Sequence, residues 1–321
     1  MAFKDVLSCA IILVLLPALA VGQLQSYSDP AGADGSVNFL VVGDWGRQGL
    51  FNQSQVATQM GVVGQSLGAD FIIGTGDNFY ENGITSVSDP TFKLSFTNIY
   101  TAASLQKNWY NVLGNRDYRG SVSAQISPAL RGVDKRWYCH QNYKVSAGLA
   151  DFFFIDTSPF VDQYFTNPGL PAGVQYDWSL VLPNRAAYLS SVLSNLDAAL
   201  KSSTAKWKFV VGHHPVLSAG LLGPTDPLVQ RLAPILQSNG VAMYLNGHDH
   251  NLQRFTSGGV EYITSGGGSQ AYRGMGPWSK VGMSFYFDGQ GFLSAKVTQA
   301  KADFVFYGLG AAPLYSWSLV K

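Results

Sequence analysis

The sequence predicts an α/β fold in which two mixed β-sheets pack face to face, with helices on the outside, as a single domain. Short apolar runs alternate with segments of helical periodicity from residue 37 to residue 245. After residue 258 the pattern changes to short β-runs separated by glycines, which indicates antiparallel strands at one end of the sheets. Polar motifs directly follow several apolar runs, and in open α/β sheets ligands bind at the carboxyl ends of strands.

Each element follows from a local pattern of apolar and turn-forming residues. In chain order, the predicted strands are Val37–Val42, Phe71–Ile73, Trp109–Leu113, Asp151–Asp156, Trp207–Val211, Val241–Leu245, Val260–Thr264 and Met283–Phe287. The predicted helices are Phe51–Leu67, Pro90–Leu105, Asn184–Lys201 and Pro227–Gln237. Asn184 is the expected N-cap of the third helix, because its side chain can accept a hydrogen bond from a free backbone N–H.

The amino-terminal segment has the features of a secretory signal peptide. Lys4 precedes an uncharged run over residues 6–21, which ends in a proline and small residues. This run is short for a membrane anchor, which requires about 20 apolar residues, and no later stretch is long and apolar enough to span a bilayer. We expect residues 1–22 to be the signal, residues 23–36 a flexible leader and residues 37–321 the folded domain of a secreted protein.

Charge and cysteine content narrow the classes of function. The chain has 21 Lys and Arg against 20 Asp and Glu, a net charge of +1, which gives no electrostatic basis for binding nucleic acid or an anionic membrane. Once Cys9 leaves with the signal, Cys139 is buried and inert, paired between chains or a free thiol, and we expect it to be buried. The sequon Asn52-Gln53-Ser54 is compatible with a glycoprotein on the secretory route.

Five motifs rich in potential metal ligands each follow an apolar run. They are Gly43-Asp44-Trp45-Gly46, Gly76-Asp77-Asn78-Phe79-Tyr80, Gly114-Asn115-Arg116-Asp117, Gly212-His213-His214 and Gly247-His248-Asp249-His250. Glycine permits tight turns, a carboxylate can bridge two cations, and imidazole nitrogens suit borderline metals. In isolation such Asp, Asn and His residues are more often structural. Together they predict a site for two metal ions.

Tyr80 indicates which ions the site would hold. A phenol with a pKa near 10 is a poor ligand for a divalent ion in acid, whereas a trivalent ion lowers that pKa and holds the phenolate. The Gly-Asp-x-x-Tyr spacing therefore points to Fe(III) beside a divalent ion. Iron(II), zinc or manganese would suit the histidine-richer set of ligands.

The motifs, in this order, resemble those of the purple acid phosphatases, in particular the small single-domain type that includes plant forms and mammalian tartrate-resistant acid phosphatase. The family pattern is Gly-Asp-x-Gly, Gly-Asp-x-x-Tyr, Gly-Asn-His-Asp/Glu, Val-x-x-His and Gly-His-x-His, and it occurs here at 43–46, 76–80, 114–117, 210–213 and 247–250. The resemblance extends from about residue 37 to near the carboxyl terminus. It implies the calcineurin-like metallophosphoesterase fold.

The resemblance also implies the ligands and the reaction. The implied ligands are Asp44, Asp77, Tyr80 and His250 for Fe(III), and Asp77, Asn115, His213 and His248 for the divalent ion, with Asp77 bridging. The implied reaction is the hydrolysis of phosphate monoesters at acid pH by a metal-bound hydroxide. We expect the secreted protein to be a monomer.

Two positions depart from the family pattern. Arg116 stands where the third motif has a histidine, and Leu222 stands where the family has another, about nine residues after the His213 position. The resemblance assigns both histidines to phosphate binding and to protonation of the leaving group. Arginine can pair with phosphate oxygens but cannot act as a general acid, and leucine can do neither. Loss of a general acid typically costs about 10²–10⁴ in rate.

Three hypotheses follow. The first is an acid phosphatase of reduced efficiency, in which Arg116 contacts phosphate and His214 supplies a proton; His214 is equally well explained as a hydrogen-bonded residue at a strand end. The second is a non-catalytic or weakly catalytic di-metal protein that binds phosphate. The third is a general metallophosphoesterase with two manganese or zinc ions, which Tyr80 disfavours. The sequences of the loops that would line the pocket do not indicate which substrate binds.

Overall fold

Two mixed β-sheets form the centre of the protein in a computed structural model, which describes residues 24–310 and 312–321. The predicted signal segment, residues 1–22, lies outside the described residues. In chain order, the strands of the described part are β1 Gln25–Ser28, β2 Val37–Val42, β3 Phe71–Gly74, β4 Asn108–Asn111, β5 Trp137–Cys139, β6 Tyr143–Ala147, β7 Ala150–Phe154, β8 Trp207–Val211, β9 Met243–Asn246, β10 Leu252–Ser257, β11 Val260–Ser265, β12 Met283–Phe287, β13 Phe292–Val297, β14 Lys301–Tyr307 and β15 Pro313–Val320.

Both sheets combine parallel and antiparallel pairs, which confirms the predicted fold class. One sheet has the order β1-β6-β7-β8-β9-β11-β10-β12 and the other has the order β15-β14-β13-β2-β3-β4-β5. Strands β2, β3 and β4 are parallel neighbours, and so are β7, β8 and β9. Antiparallel pairs join β10 to β11 and to β12, and β14 to β13 and to β15, as the glycine-rich pattern predicts. Consecutive parallel strands therefore end at the same edge of each sheet.

The facing surfaces of the two sheets enclose an apolar core. Phe39 of β2 stacks on Phe71 of β3 with 5.6 Å between ring centroids, and it meets Phe152 of β7 edge-on at 5.1 Å. The alternate residue Leu40 points to the outer side and packs with the helix Gln53–Leu67. All of β2 is buried, which explains why its sequence is nearly continuous in apolar residues instead of alternating.

Helices and helical turns cover the outer faces. The longer helices are Gln53–Leu67, Arg185–Ser202, Asp226–Arg231 and Ala233–Ser238. Shorter helical segments lie at Pro90–Phe92, Lys93–Thr97, Ala103–Leu105, Asp117–Arg119, Val122–Gln125, Ala129–Val133, Ser158–Phe160 and Gln163–Thr166. No helix in the described part combines the length and the apolar character that crossing a bilayer requires.

The prediction of one continuous helix over Pro90–Leu105 is wrong. The chain forms a short α-helix, a π-helical turn over Lys93–Thr97 and a separate 3-10 turn. The carbonyl of Tyr100 accepts hydrogen bonds from the side chains of Gln106, at 2.9 Å, and Arg136, at 2.6 Å. These side chains satisfy the backbone in place of a helical N–H, so the helix does not continue.

The predicted helix Pro227–Gln237 is interrupted at Leu232, between the helices Asp226–Arg231 and Ala233–Ser238. Pro234 lies in the first turn of the second helix. Proline has no N–H to donate to the carbonyl four residues earlier, so the regular hydrogen-bond ladder breaks at this point.

The segment predicted as a flexible leader, residues 23–36, forms a strand in its described part. Strand β1 pairs in parallel with β6, and Leu24 beside it is buried. Asp29 accepts hydrogen bonds from the Tyr110 hydroxyl at 2.8 Å and from the Asn108 amide at 2.9 Å. Because β1 is an edge strand with mostly exposed residues, its small polar sequence lacks the apolar alternation that signals a strand.

Cys139 is a buried free thiol at the end of β5, as expected. Burial, with the nearby Asp117 and Asp156, raises the pKa of this thiol well above its usual value. Little thiolate therefore forms for disulfide exchange.

Asn184 caps the helix Arg185–Ser202 as predicted, since its Oδ1 accepts a hydrogen bond from the Ala187 N–H at 3.0 Å. We expect Asn184→Ala to lower the free energy of unfolding by about 1 kcal/mol, measured by urea denaturation. Ser190→Ala, at an exposed position inside the same helix, is the control and should leave that free energy equal or slightly higher. Equal losses in both variants would contradict a capping role.

Candidate metal centre

The five motifs meet where the carboxyl edges of the two sheets adjoin. The predicted ligands follow β2, β3 and β4 of one sheet and β8 and β9 of the other, and they are Asp44, Asp77, Tyr80, Asn115, His213, His248 and His250. Ser265, at the end of β11, joins the sheets at this edge: its carbonyl accepts the Gly43 N–H at 2.7 Å and its hydroxyl donates to the Val41 carbonyl at 2.8 Å. The structure thus brings together residues that are far apart in the chain.

One group of predicted ligands surrounds the hydroxyl oxygen of Tyr80. That oxygen lies 3.0 Å from Asp44 Oδ1, 2.9 Å from Asp77 Oδ2 and 2.9 Å from His250 Nε2. The Nδ1 atom of His250 is 2.6 Å from the Gln270 carbonyl, which can only accept, so in the neutral ring Nε2 carries the lone pair. A phenol has one hydrogen and cannot satisfy three acceptors. A cation between these atoms could contact all of them at once, so these residues fit a metal ion.

A second group consists of Asn115, His213 and His248. Asn115 Oδ1 lies 3.2 Å from His213 Nε2 and 3.1 Å from His248 Nδ1, and these two nitrogens are 3.3 Å apart. His213 Nδ1 faces the Thr75 carbonyl at 2.9 Å, so in the neutral ring its Nε2 lone pair faces the amide oxygen. Two acceptors that face each other at this distance repel, and a cation between them removes the repulsion. This group also fits a metal ion.

Asp77 lies between the two groups. Its Oδ2 faces Tyr80, and its Oδ1 is 3.5 Å from His213 Nε2 and accepts the Arg116 backbone N–H at 2.7 Å. Burial raises the pKa of Asp77, but His213, the charge of Arg116 and this N–H outweigh burial and hold the pKa below its usual value. The carboxylate is therefore ionised and positioned to contact ions in both groups.

Two buried carboxylates lie at the centre. Asp44 and Asp77 are 0% and 2% exposed, and within the described residues no Lys or Arg side chain forms an ion pair with either. Burial and these two carboxylates raise the pKa of Tyr80 well above its usual value. Buried charges in proteins are normally paired or bound to metals. The arrangement thus calls for cations, and only a strongly Lewis-acidic cation would bind Tyr80 as the phenolate.

The turns that carry the ligands have unusual backbone conformations. Asp44, Asp77 and His248 have φ angles of 59°, 50° and 71°, in the left-handed region that non-glycine residues seldom adopt. A Cβ at Gly114 would lie 2.2 Å from Asp77 N, and one at Gly247 would lie 2.4 Å from Asp44 Oδ2. The glycines of the motifs therefore allow close approach of two turns, and this conformation points the carboxylates inward.

Asp117 has a structural role at the centre that the sequence did not predict. Its carboxylate accepts hydrogen bonds from the backbone N–H groups of Asn78, Phe79 and Gly114 at 2.8–3.2 Å, and from the Gln125 side chain at 3.0 Å. Burial and the charge of Asp77 raise the pKa of Asp117 to about 7. The only sequence signal for this role is its place at the end of the third motif.

Arg116 lies at the rim of the centre and is held by Glu81. Its Nη1 is 3.2 Å from Glu81 Oε2, while Arg47 pairs with the other oxygen of the same carboxylate. Both guanidinium groups lie over the ring of Tyr80, Arg47 at 3.8 Å and Arg116 at 5.6 Å from the centroid. Burial lowers the pKa of Arg116, but Asp77 and the other acidic neighbours outweigh it and keep the guanidinium charged.

His214 is buried, and hydroxyl groups contact both of its ring nitrogens. Thr157 Oγ1 accepts the backbone N–H groups of His213 and His214, so its own hydrogen is directed to His214 Nδ1 at 3.0 Å. Nε2 therefore carries the hydrogen of the neutral ring and donates it to the Tyr164 hydroxyl at 2.9 Å. Burial, with the charges of His248 and His213, lowers the pKa of His214 well below its usual value. A ligand atom of His214 also lies within 4.8 Å of those of His213 and His248.

Leu222 lies on the loop that Asp249 fixes beside the centre. Asp249 Oδ1 accepts the Leu222 N–H at 2.9 Å, and Oδ2 accepts the Gly223 N–H at 3.2 Å and the Ser218 hydroxyl at 2.5 Å. The side chain of Leu222 is 47% exposed and lines a cavity that also reaches His248. Asp249 thus links Leu222, which departs from the family pattern, to His248 and His250, which flank Asp249 in the chain.

Comparisons with known proteins agree with this geometry. A model of the calcineurin-like phosphoesterase family matches residues 37–252. Purple acid phosphatase 3 of Arabidopsis thaliana is 51% identical over 312 residues, which cover 96% of this chain and 84% of that protein. Tartrate-resistant acid phosphatase type 5 of Homo sapiens is 34% identical over 271 residues, which cover 80% of this chain and 79% of that protein.

Solved structures support the fold alone. GAP50, the anchor in the inner membrane complex of Plasmodium, matches with a TM-score of 0.72 at 22% identity, and 89% of each chain is covered. The purple acid phosphatase PPD1 from yellow lupin (Lupinus luteus) seeds matches with a TM-score of 0.61 at 14% identity, with 90% of this chain and 55% of that chain covered.

We expect Asp117→Ala to lower the free energy of unfolding by about 3 kcal/mol or more, because several buried N–H groups lose their acceptor. Urea denaturation measures this loss, and elemental analysis should show a lower metal content because the turns of Asp77 and Asn115 are no longer tied together. Asp197→Ala is the control: Asp197 lies at the helix surface, pairs with Lys201 and accepts the Asn239 amide at 2.8 Å, and its loss should cost about 1 kcal/mol. A loss of similar size in both variants would refute the role of Asp117.

Proposed function

The chain belongs to the purple acid phosphatases, which are acid phosphatases with a binuclear metal centre, and on this basis we propose that it holds Fe(III) beside a divalent ion. The proposed ligands of Fe(III) are Asp44, Asp77, Tyr80 and His250, and those of the divalent ion are Asp77, Asn115, His213 and His248. The position of the Tyr80 oxygen between two buried carboxylates and an imidazole lone pair carries this proposal.

The chemistry of the two donor sets supports different ions. Three oxygens and one nitrogen surround the first position, and two nitrogens with two oxygens surround the second. Hard oxygen donors favour a trivalent ion, whereas imidazole suits iron(II), zinc or manganese. When bound, such ions lower the pKa of coordinated water and offset charge on phosphate oxygens. Within this scheme Asp77 is the bridging ligand.

The side chains at the rim define how the substrate is bound. We assign Arg116 to the phosphate group, since its guanidinium stays charged and can bind two phosphate oxygens at once. Glu81 holds this guanidinium in the free protein and would compete with phosphate for it. The ion pair is partly exposed, so this competition is modest and is weakened by salt.

Proton delivery to the leaving group is the weak step that we propose for this enzyme. Arg116 and Leu222 cannot act as general acids. His214 is the proposed substitute, but its Nε2–H is engaged by Tyr164 and burial opposes its protonation. We therefore propose hydrolysis of reduced efficiency that depends on the acidity of the leaving group. Membership of an enzyme family favours this function over phosphate binding without turnover.

We also propose that the protein is secreted through its amino-terminal signal, is glycosylated at Asn52 and acts as a monomer. Asn52 is half-buried at the start of the helix Gln53–Leu67, so its side chain has partial access to solvent. Elemental analysis combined with an acid-pH phosphatase assay on the purified protein is the direct test of the proposed metal centre and activity.

Tyr80→Phe should abolish the visible tyrosinate-to-iron charge-transfer band and reduce the iron content, because the phenolate ligand is lost. The band is measured by absorption spectroscopy of the oxidised protein. Tyr272→Phe is a matched control, since Tyr272 stacks on His250 with 4.0 Å between centroids and supplies no ligand in our scheme. If the unmodified protein contains two zinc or manganese ions and has no such band, a general metallophosphoesterase replaces our proposal.

The double variant Arg116→His/Leu222→His should raise kcat on alkyl phosphates by about 10² or more, and should raise it much less on aryl phosphates, whose leaving groups need less protonation. Val320→His is the control, because Val320 is exposed and pairs with Lys301 at the opposite end of the sheet. Steady-state kinetics measure kcat of each variant on alkyl and on aryl phosphates. Equal gains on the two classes would contradict the loss of a general acid.

A further inference from the structure

A cavity of about 770 Å³ opens directly beside the candidate metal centre. His248 and His214 of the centre are among its lining residues, together with Phe160, Tyr164 and Leu222. Of these, Phe160 and His214 are almost completely buried. The cavity is therefore continuous with the place where a phosphate group would bind, and it is large enough for an organic group of the size of a bicyclic aromatic ring.

Leu222 is a wall residue whose backbone is tied to the candidate metal centre. Its backbone N–H is hydrogen-bonded to Asp249, which lies between His248 and His250 in the chain. Gly223, hydrogen-bonded to the same carboxylate, has left-handed φ of 79° and packs against the Trp278 ring, where a Cβ would lie 2.1 Å from a ring atom. The Leu222 side chain is thus presented to the cavity by a loop that is anchored on both sides.

The walls combine polar and apolar groups, and Leu222 is one of the apolar ones. Leucine at 222 offers no hydrogen bond, and Phe160 and Leu189 add apolar surface. Three charged residues also line the cavity: Asp162 pairs with Arg185 at 2.6 Å, the Arg231 guanidinium lies over the Phe160 ring at 5.4 Å, and Asp226 begins the helix Asp226–Arg231. A strongly hydrated group placed against Leu222 would lose water there without gaining a hydrogen bond from that side chain.

We propose that this cavity is the subsite for the organic group of the substrate, and that Leu222 makes the protein selective for phosphate monoesters that carry a bulky apolar, aromatic group. The inference rests on the proposed function, because it requires the phosphate group to bind at the metal centre. It concerns the size and polarity of the organic group, and so it is separate from any preference for acidic leaving groups.

Binding of non-hydrolysable phosphonates tests the subsite without turnover. The purified protein, with its metal content known, is titrated with methylphosphonate and with 1-naphthylmethylphosphonate by calorimetry at acid pH. We expect the naphthyl compound to bind about tenfold more tightly, since each fully buried methylene-sized group contributes about fourfold. Equal affinities for the two phosphonates would overturn the proposal.

Two adjacent leucines provide matched variants. Leu222→Ser should reduce the ratio of the two affinities to about threefold or less, because part of the apolar wall is removed. Leu221→Ser is the control: Leu221 is 48% exposed, against 47% for Leu222, but is absent from the cavity wall, so its variant should keep the ratio of the unmodified protein. If both variants reduce the ratio equally, Leu222 is not a specificity residue.

Hydrolysis of phenyl phosphate separates failure of this inference from failure of the proposed function. If the protein hydrolyses phenyl phosphate and binds both phosphonates with equal affinity, the enzyme is a phosphatase without the aromatic subsite. If the metal-loaded protein neither hydrolyses phenyl phosphate nor binds inorganic phosphate, the proposed function is wrong and the subsite proposal falls with it.

Discussion

Two buried carboxylates, Asp44 and Asp77, that form no ion pair with a Lys or Arg of the described residues are the constraint on which the centre depends. Asp44 and Asp77 approach the same oxygen of Tyr80, and a single phenolic hydrogen cannot satisfy them both. Leaving a buried charge unpaired costs several kcal/mol. The turns must therefore be held together by other contacts until cations bind, and much of the surrounding structure supplies such contacts.

Two further aspartates make those contacts. Asp117 accepts hydrogen bonds from backbone N–H groups of the turns after β3 and β4. Asp249 accepts hydrogen bonds from the backbone of the loop that carries Leu222. Ser265 joins the two sheets at the same edge. Residues that bind no metal in our scheme thus keep the left-handed turns in place, and strained conformations persist only where neighbouring contacts determine them in this way.

The centre separates two tasks that a phosphatase must combine. In our proposal seven residues would hold two metal ions, whereas Arg116 would bind phosphate and Leu222 would contact the organic group, and neither of these two can donate a proton to the leaving group. Arg116 is charged and is held by Glu81, and Leu222 faces a cavity. If these roles hold, the rate should depend strongly on which ester is bound.

The sequence by itself determined the fold class and the order of strands that end in candidate ligands, because a buried parallel strand, a glycine and a polar residue form a local pattern. Only the tertiary structure decided the strand β1, the end of the predicted helix Pro90–Leu105 after its π-helical turn, and the partners of Arg116, His214 and Leu222. Those partners are distant in the chain, and a hydrogen bond between them depends on how whole elements are placed. Local sequence patterns identify the candidate side chains, whereas tertiary packing determines which of these side chains are in contact.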